Sequence, residues 1–243
     1  VIMRMVAILM NLAPYGVFCL LAKLFTSQGF SAIINLALYF GTIVFVLFLH
    51  ASVVYTSIFA LLTRLNPLTL FKNMRPALLF AFSTSSSNAT MPITLNVART
   101  RVGAHNSIAS FTIPLGATVN MDGTAIMQGI ATVFIAQAYG LDLTMSEYLA
   151  VVATATLASI GTAGVPGVGL ITLAMVLQQV GLPVEGIGLI IGVDRLLDMM
   201  RTVVNVSGDG MVTAVVADSE GLLDREMFND LSDQDEHQKA NAG

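Results

Sequence analysis

The chain has 243 residues, 55% of them hydrophobic and 11% charged, with a formal net charge of −4 and a mean hydropathy of +0.79. Soluble domains carry about 25% charged residues, so this composition belongs to a chain immersed in lipid, and an acidic balance without a basic face excludes nucleic-acid binding. The single cysteine, Cys19, excludes an intramolecular disulfide and a thiolate metal cluster. Val1-Ile2-Met3-Arg4 has no small-residue cleavage site, so it does not read as a secretory signal. Starting without Met, the chain is expected to be a piece of something longer.

A helix needs about 20 apolar residues to cross the hydrocarbon. Residues 5–25 and 32–63 each supply such a run, bounded by Arg4, Lys23 and Arg64. Pro14 and Gly16 are tolerable in a membrane helix. A polar, basic connection with Arg64, Lys72 and Arg75 follows, then an apolar stretch over 76–98 and a second basic pair, Arg99 and Arg101. Residues 107–141 are apolar but broken by Asn120-Met121-Asp122-Gly123-Thr124. Beyond a loop with Asp142 and Glu147, residues 148–183 are apolar around a Gly/Pro-rich centre, and the last run is 186–217. From residue 218 onward eight acids face only Arg225 and Lys239, which predicts a solvated, disordered acidic tail on the cytoplasmic side.

The positive-inside rule puts both basic clusters in the cytoplasm. The 23 residues of 76–98 then leave and return on one side, too few to cross twice. This predicts a re-entrant hairpin with its tip at Ser83-Thr84-Ser85-Ser86-Ser87-Asn88. The loops at 142–147 and 184–186 hold acids and no Lys or Arg, so 148–183 enters from the opposite face, with a tip near Ser159 to Gly167; two tight spans are the alternative there. Open backbone at membrane depth survives only where it lines a cavity or binds something. Paired interruptions of this kind point to a transporter's binding site.

The last run carries Asp194, Arg195, Asp198, Arg201, Asn205 and Asp209. Apart from Arg195, these fall within an arc of roughly 80° on a helix of 3.6 residues per turn, with Thr202 beside them. A charge at the bilayer centre costs about 2.5–3.5 kcal/mol on the lenient insertion scale, so the stripe must face protein, water or ions. A structural ion pair, Asp198 with Arg201 for instance, leaves Asp209 without a basic partner within a turn. An intramembrane aspartyl protease does not fit, because Asp209 follows Val206-Ser207-Gly208 rather than a Gly-x-Gly sequence. A site for a zwitterionic anion with small cations uses every residue. Arg201 clamps a carboxylate, Asp198 takes an ammonium group, and Asn205 with Asp209 supplies hard oxygens for a cation. Unwinding at 120–124 adds carbonyls, Asn120 and Asp122 for Na⁺, and half-helix N-termini at the hairpin tips direct positive dipole ends at a carboxylate.

Four motifs then occur in order. They are Ser85-Ser86-Ser87-Asn88-Ala89-Thr90-Met91-Pro92, Asn120-Met121-Asp122-Gly123-Thr124, Gly161-Thr162-Ala163-Gly164-Val165-Pro166-Gly167, and DRLLDMMRTVVNVSGD from Asp194 to Asp209. Over residues 1–217 the chain closely resembles the glutamate transporter homologues, the dicarboxylate/amino acid:cation (sodium:dicarboxylate) symporter family. The resemblance implies an all-α polytopic membrane protein with two re-entrant helical hairpins and a broken helix. Residues 1–30 become a scaffold helix, the family's fifth. Residues 31–217 become the transport core of sixth helix, hairpin 1, helix 7, hairpin 2 and helix 8. Four earlier helices, with most of a homotrimer-forming scaffold, are not in the chain.

By matching position, the resemblance implies that Arg201 binds the substrate's side-chain carboxylate and Asp198 its amino group. Ser87, Thr124, Thr202 and Asn205 complete the cage, with backbone from Val165 and Gly169. One Na⁺ site uses Gly116, Asn120, Asn205 and Asp209. A second uses Thr118 with backbone at Ser159, Ile160 and Thr162. A third uses Asn120 and Asp122 with residues of an absent helix. Hairpin 2 is the expected external gate of an elevator-like cycle in a multi-pass protein of the cell (inner) membrane. The expected activity is sodium-coupled symport of aspartate or glutamate. Proton coupling, C4-dicarboxylate transport, and a channel-like or inactive fragment are the alternatives. Departures from the family's pattern are also visible. Where some members carry an arginine, this chain has Ser85, and Arg195 is the candidate replacement. Asn88 stands for a more usual serine. Gln128 stands where potassium-coupled animal members have a proton-carrying glutamate, which argues against potassium antiport. Asp198 argues for an amino acid over a dicarboxylate without an amine. No nucleophile–base pair suggests an enzyme, and His50, His105 and His237 read as structural or surface residues.

Overall fold

The computed structural model describes residues 31–230. Residues 1–30, with the expected helix over 5–25, and 231–243, with His237, lie outside them. The described chain is helical apart from its connections and one isolated antiparallel bridge, Ala104 to Leu223. The first rod runs through α1 (Ser31–Leu49), a π-helical turn (His50–Tyr55) and α2 (Thr56–Thr63), and stops at Arg64, which is left-handed at φ 58°. Its stretch Ile34–Thr63, with a mean hydropathy of 2.1, is the one helix among the described residues both long and apolar enough to cross a membrane. Large apolar side chains along it (Ile34, Leu38, Phe45, Phe48, Leu61) stand exposed, far more than scattered surface hydrophobics would give.

The next helix starts earlier than its charges suggest. α3 spans Pro67–Thr84, so Lys72 and Arg75 ride on a helix, both exposed, rather than in a polar connection. Asn66 accounts for this start. Its side chain accepts from the Leu68 N–H, and Pro67 supplies a pre-set φ at a position where no donor is needed. Only Ser85, left-handed at φ 52°, and Ser86 separate α3 from α4 (Ser87–Thr100), and the two helices pack as a hairpin. α5 (Asn106–Val119) and α6 (Asp122–Ala138) follow, separated by the non-helical Asn120 and Met121. A Thr144–Glu147 capping box then opens α7 (Met145–Ser159). Residues 160–167 are non-helical, and α8 (Val168–Gln179) packs back on α7.

A 3₁₀ turn (Val184–Gly186) leads into α9 (Ile187–Ser219), a helix of 33 residues. It is the hub, packed against α1 to α6 and α8. At about 1.5 Å of rise per residue it is long enough to cross a hydrocarbon core of about 30 Å once, yet its charged stripe keeps it out of the apolar class. Close packing relies on small residues along it. At Gly210 a Cβ would stand 2.5 Å from Met74 Cε of α3.

The disordered tail expected from residue 218 is corrected over its first part. α9 continues to Ser219, and after Glu220–Asp224 a short α10 (Arg225–Asn229) docks on α3. Phe228 is fully buried, with its ring 5.9 Å from that of Phe59. The Asn73 side chain donates to the Phe228 carbonyl at 2.9 Å. Arg225 pairs with Asp218 and donates to the Thr63 carbonyl, while Asp224 N–H bonds Gly103 O. An acid count sees solvation; apolar anchors two turns further on decide otherwise. Phe228→Ala is expected to lower unfolding free energy by about 3–5 kcal/mol, read as a fall in melting temperature of the detergent-purified protein.

Candidate functional site

Arg201 is the largest fully buried side chain of the described residues, 1% exposed. Its Nη2 donates to Asp194 Oδ1 at 3.0 Å and lies 3.1 Å from Asp198 Oδ1. Positions 194, 198 and 201 share one face of α9, so the helix itself delivers both acids to the guanidinium. Nε and Nη1 of Arg201 are buried without a hydrogen-bond partner. Room for Nη1 comes from Gly169 at the start of α8, where a Cβ would stand 2.9 Å from it. Asp198 turns its second oxygen to the tip of the α7–α8 pair, accepting from Gly167 N–H at 2.9 Å.

A narrow cleft of about 20 Å³ opens beside this cluster. It is lined by Ser87, Thr124, Val165, Gly169, Thr202 and Asn205, among others. Apart from Arg201, these with Asp198 are the residues the resemblance assigns to the substrate, and all converge here; Thr162, assigned to a cation, lines the same cleft. The cleft is small because the two helix-pair tips touch. The Gly164 carbonyl accepts from Asn88 N–H at 3.1 Å and from the Ser86 hydroxyl at 2.6 Å. Arg195 is exposed.

A second cluster forms where α5 ends. Asn120 Nδ2 donates to Asp209 Oδ1 at 3.0 Å and to the Asn205 carbonyl at 3.2 Å. Gly116 lets the Asp209 carboxylate lie against α5, since a Cβ there would be 2.5 Å from Oδ1. Asn205 Oδ1 accepts from Gly123 N–H at 2.8 Å, satisfying a donor freed by the interruption. Gly116, Asn120, Asn205 and Asp209 are therefore brought together, with carboxylate and carbonyl oxygens of the kind hard cations take.

The other two expected cation sets are less compact. Thr118 is exposed, and its hydroxyl donates to Leu115 O on its own helix. Its carbonyl, however, accepts from Gly161 N–H at 2.7 Å, which ties it to the segment of Ser159, Ile160 and Thr162. Asp122 does not join Asn120's partners. Its Oδ2 accepts from Tyr55 Oη at 3.0 Å and contacts His50 Nε2 at 3.1 Å.

Sequence reasoning missed Asp194 as a partner of Arg201, although a spacing of seven marks the same helix face. It also set His50 aside as structural or surface, and it did not notice Tyr55. No α-helical periodicity relates those two residues. His105 does cap α5 from an exposed position. Gln128, fully buried, donates to Thr172 Oγ1 at 2.7 Å.

The described residues thus form a helical bundle that buries an acid-clamped arginine next to a cleft and a cluster of hard oxygens. The sequence profile of the Sodium:dicarboxylate symporter family matches residues 1–219, and the chain belongs to that family. It is similar to excitatory amino acid transporter 3 of Mus musculus, at 43% identity over 215 residues, covering 88% of this chain and 41% of that protein. Excitatory amino acid transporter 4 of Mus musculus is 42% identical over 228 residues, covering 93% and 40%. An excitatory amino acid transporter of Caenorhabditis elegans is 41% identical over 218 residues, covering 89% and 43%. The chain thus spans about two fifths of the length of the curated relatives it matches. The family is one of membrane transport proteins.

Gly208 is where the second cluster is tightest. A Cβ there would overlap Asn120 Nδ2 and stand 2.6 Å from Tyr55 Oη. Gly208→Ala is expected to cost about 1–3 kcal/mol by overpacking, seen as a lower melting temperature in thermal unfolding.

Proposed function

We propose that the chain is the substrate- and ion-binding core of a sodium-coupled symporter for acidic amino acids, aspartate or glutamate, working by elevator-like alternating access. Arg201 carries the proposal. A buried charged donor left unpaired costs about 1–3 kcal/mol or more, and two nitrogens of this guanidinium stand in that position beside a cleft. A ligand carboxylate relieves the cost. Arg201, Asp194 and Asp198 sum to one negative charge, which favours a ligand bringing an ammonium group over a dicarboxylate without one. Asp198, shared between Arg201 and Gly167 N–H, takes that ammonium. Ser87, Thr124, Thr202 and Asn205 line the remaining walls, with backbone at Val165 and Gly169.

An anionic substrate added to a net-negative site needs countercharge, and cotransported Na⁺ supplies it. The oxygens of Gly116, Asn120, Asn205 and Asp209 form one place for it. Backbone at Ser159, Ile160 and Thr162 with Thr118 forms a second, and Asn120 with Asp122 contributes to a third. The family relationship and the names of the relatives support substrate class and ion alike.

In this reading α1–α2 is the family's sixth helix, α3–α4 and α7–α8 are re-entrant hairpins, α5–α6 is one broken helix, and α9 is the eighth helix. Residues 1–30 belong to the scaffold and 31–217 to the moving core of a homotrimer in the cell (inner) membrane. The tip of α7–α8 is the external gate. Because residue 128 is Gln, coupling to potassium antiport is not expected.

Calorimetry of L-aspartate against the intact purified protein, with and without Na⁺ and with succinate as control, tests this. Aspartate is expected to bind only with Na⁺, and succinate at least tenfold more weakly (about 1.4 kcal/mol). Arg201→Ala should weaken aspartate binding about 30-fold or more, since truncating one side of a buried charge pair costs about 2–5 kcal/mol. Binding indifferent to Na⁺ would move the coupling to protons. Equal affinity for succinate would remove Asp198 as the ammonium partner.

A further inference from the structure

One turn among the described residues is π-wound. His50–Tyr55 is a π-helical segment inside the long α1–α2 rod. Such turns are rare and appear frequently at functional sites. Side chains five positions apart on an α-helix point about 140° away from one another. An i→i+5 winding instead brings the chain back above its start. His50 and Tyr55 accordingly face the same way. Their rings meet edge to face with centroids 4.6 Å apart, and both reach the same atom, Asp122 Oδ2, at 3.1 and 3.0 Å. An ionised carboxylate only accepts, so with Asp122 ionised this contact requires the His50 tautomer that carries its proton on Nε2.

The same turn reaches the second acid of the region. Tyr55 is 3% exposed, and its hydroxyl lies against Gly208. The missing Cβ there leaves room for both Tyr55 Oη and Asn120 Nδ2, and Asn120 Nδ2 bonds Asp209 Oδ1. Asp122, Tyr55, Gly208, Asn120 and Asp209 therefore form one contiguous group around the interruption between α5 and α6. His50 closes it on the side of α1.

We propose that His50 and Tyr55 are positioning residues for Asp122, and that the π turn presents them together to set the Na⁺ affinity of the Asn120–Asp122 region. They hold Oδ2 and leave Oδ1 as the oxygen offered to the ion. Neither touches the ion; both act through the carboxylate. The inference rests on the assignment of Na⁺ to Asn120 and Asp122 made above. Partners that orient a coordinating side chain typically carry 10–100-fold in metal affinity. An α-helical winding of the same residues would turn one of the two donors away and forfeit part of that.

The test is the Na⁺-dependent rise in melting temperature of the intact purified protein without amino acid, for the parent chain, Tyr55→Phe, His50→Ala, His50→Gln and Asp122→Asn. Tyr55→Phe keeps the buried ring and removes only the donor, so it carries the test if His50→Ala does not fold. We expect Tyr55→Phe and His50→Ala each to raise the Na⁺ concentration at half-maximal stabilisation about tenfold. His50→Gln, which restores an N–H donor, should recover most of the loss, and melting temperatures without Na⁺ should stay close to the parent's. Midpoints for Tyr55→Phe and His50→Ala near the parent's, while Asp122→Asn shifts its own, would overturn the positioning role and leave the ion site standing. Equal losses in His50→Gln and His50→Ala would make His50 a packing residue, which also overturns it. If Asp122→Asn moves nothing, the ion assignment fails and the positioning role with it.

Discussion

Removing a guanidinium from water costs several kcal/mol even after relaxation, and a residue 1% exposed has no solvent to recover it from. Arg201 is kept in place by two carboxylates delivered from its own helix, one turn and two turns away, so the pairing needs no distant element to form. Its consequences are distant, however. Asp198 spends one oxygen on Arg201 and the other on Gly167 N–H, so the tip between α7 and α8 is fastened to the same ion cluster. Gly169 then has to be a glycine for Nη1 to fit. The position of one charge thereby fixes a helix pair, a tip and the walls of the cleft between them.

The interruption between α5 and α6 is the second constraint. Two non-helical residues inside an apolar run leave backbone donors and acceptors that lipid cannot satisfy. The structure meets them with groups from α9 and from the facing tip. Asn205 Oδ1 takes Gly123 N–H, and Thr118 O takes Gly161 N–H. Gly116 and Gly208 let Asp209 and Asn120 stack directly against the opposing backbones. The oxygens assembled this way are of the kind a hard cation takes, so under the proposed function repairing the break and building an ion site are one piece of chemistry.

Much of this could be read from the residues. Charges at a helical period, and Ser/Gly runs, are conspicuous enough inside apolar sequence that they locate the stripe on α9 and the two tips. Asp194 was visible on the same face yet carried no distinguishing neighbour. Other features were hidden for definite reasons. Lys72 and Arg75 masked the start of α3, although Asn66-Pro67 is a strong helix-start signal. The acids of residues 218–230 outweighed Leu223 and Phe228 in any composition count, while two apolar anchors suffice to dock a short helix. The π turn leaves no mark in a periodicity search, because six residues are too few to define a period.

The docking of α10 against α2 and α3 has a bearing on how the chain reaches this structure. Its hydrogen bonds join residues 155 and 162 positions apart, Asn73 to Phe228 and Arg225 to Thr63. At synthesis rates of about 5–20 residues per second, α2 and the start of α3 wait on the order of ten seconds for the partners that cover them. Phe59, Asn73 and their neighbours therefore pass that interval without the cover that α10 provides. A surface of α2 and α3 is thus closed by a helix made some 155 residues later, so truncation before α10 should leave that face unsealed in the nascent protein.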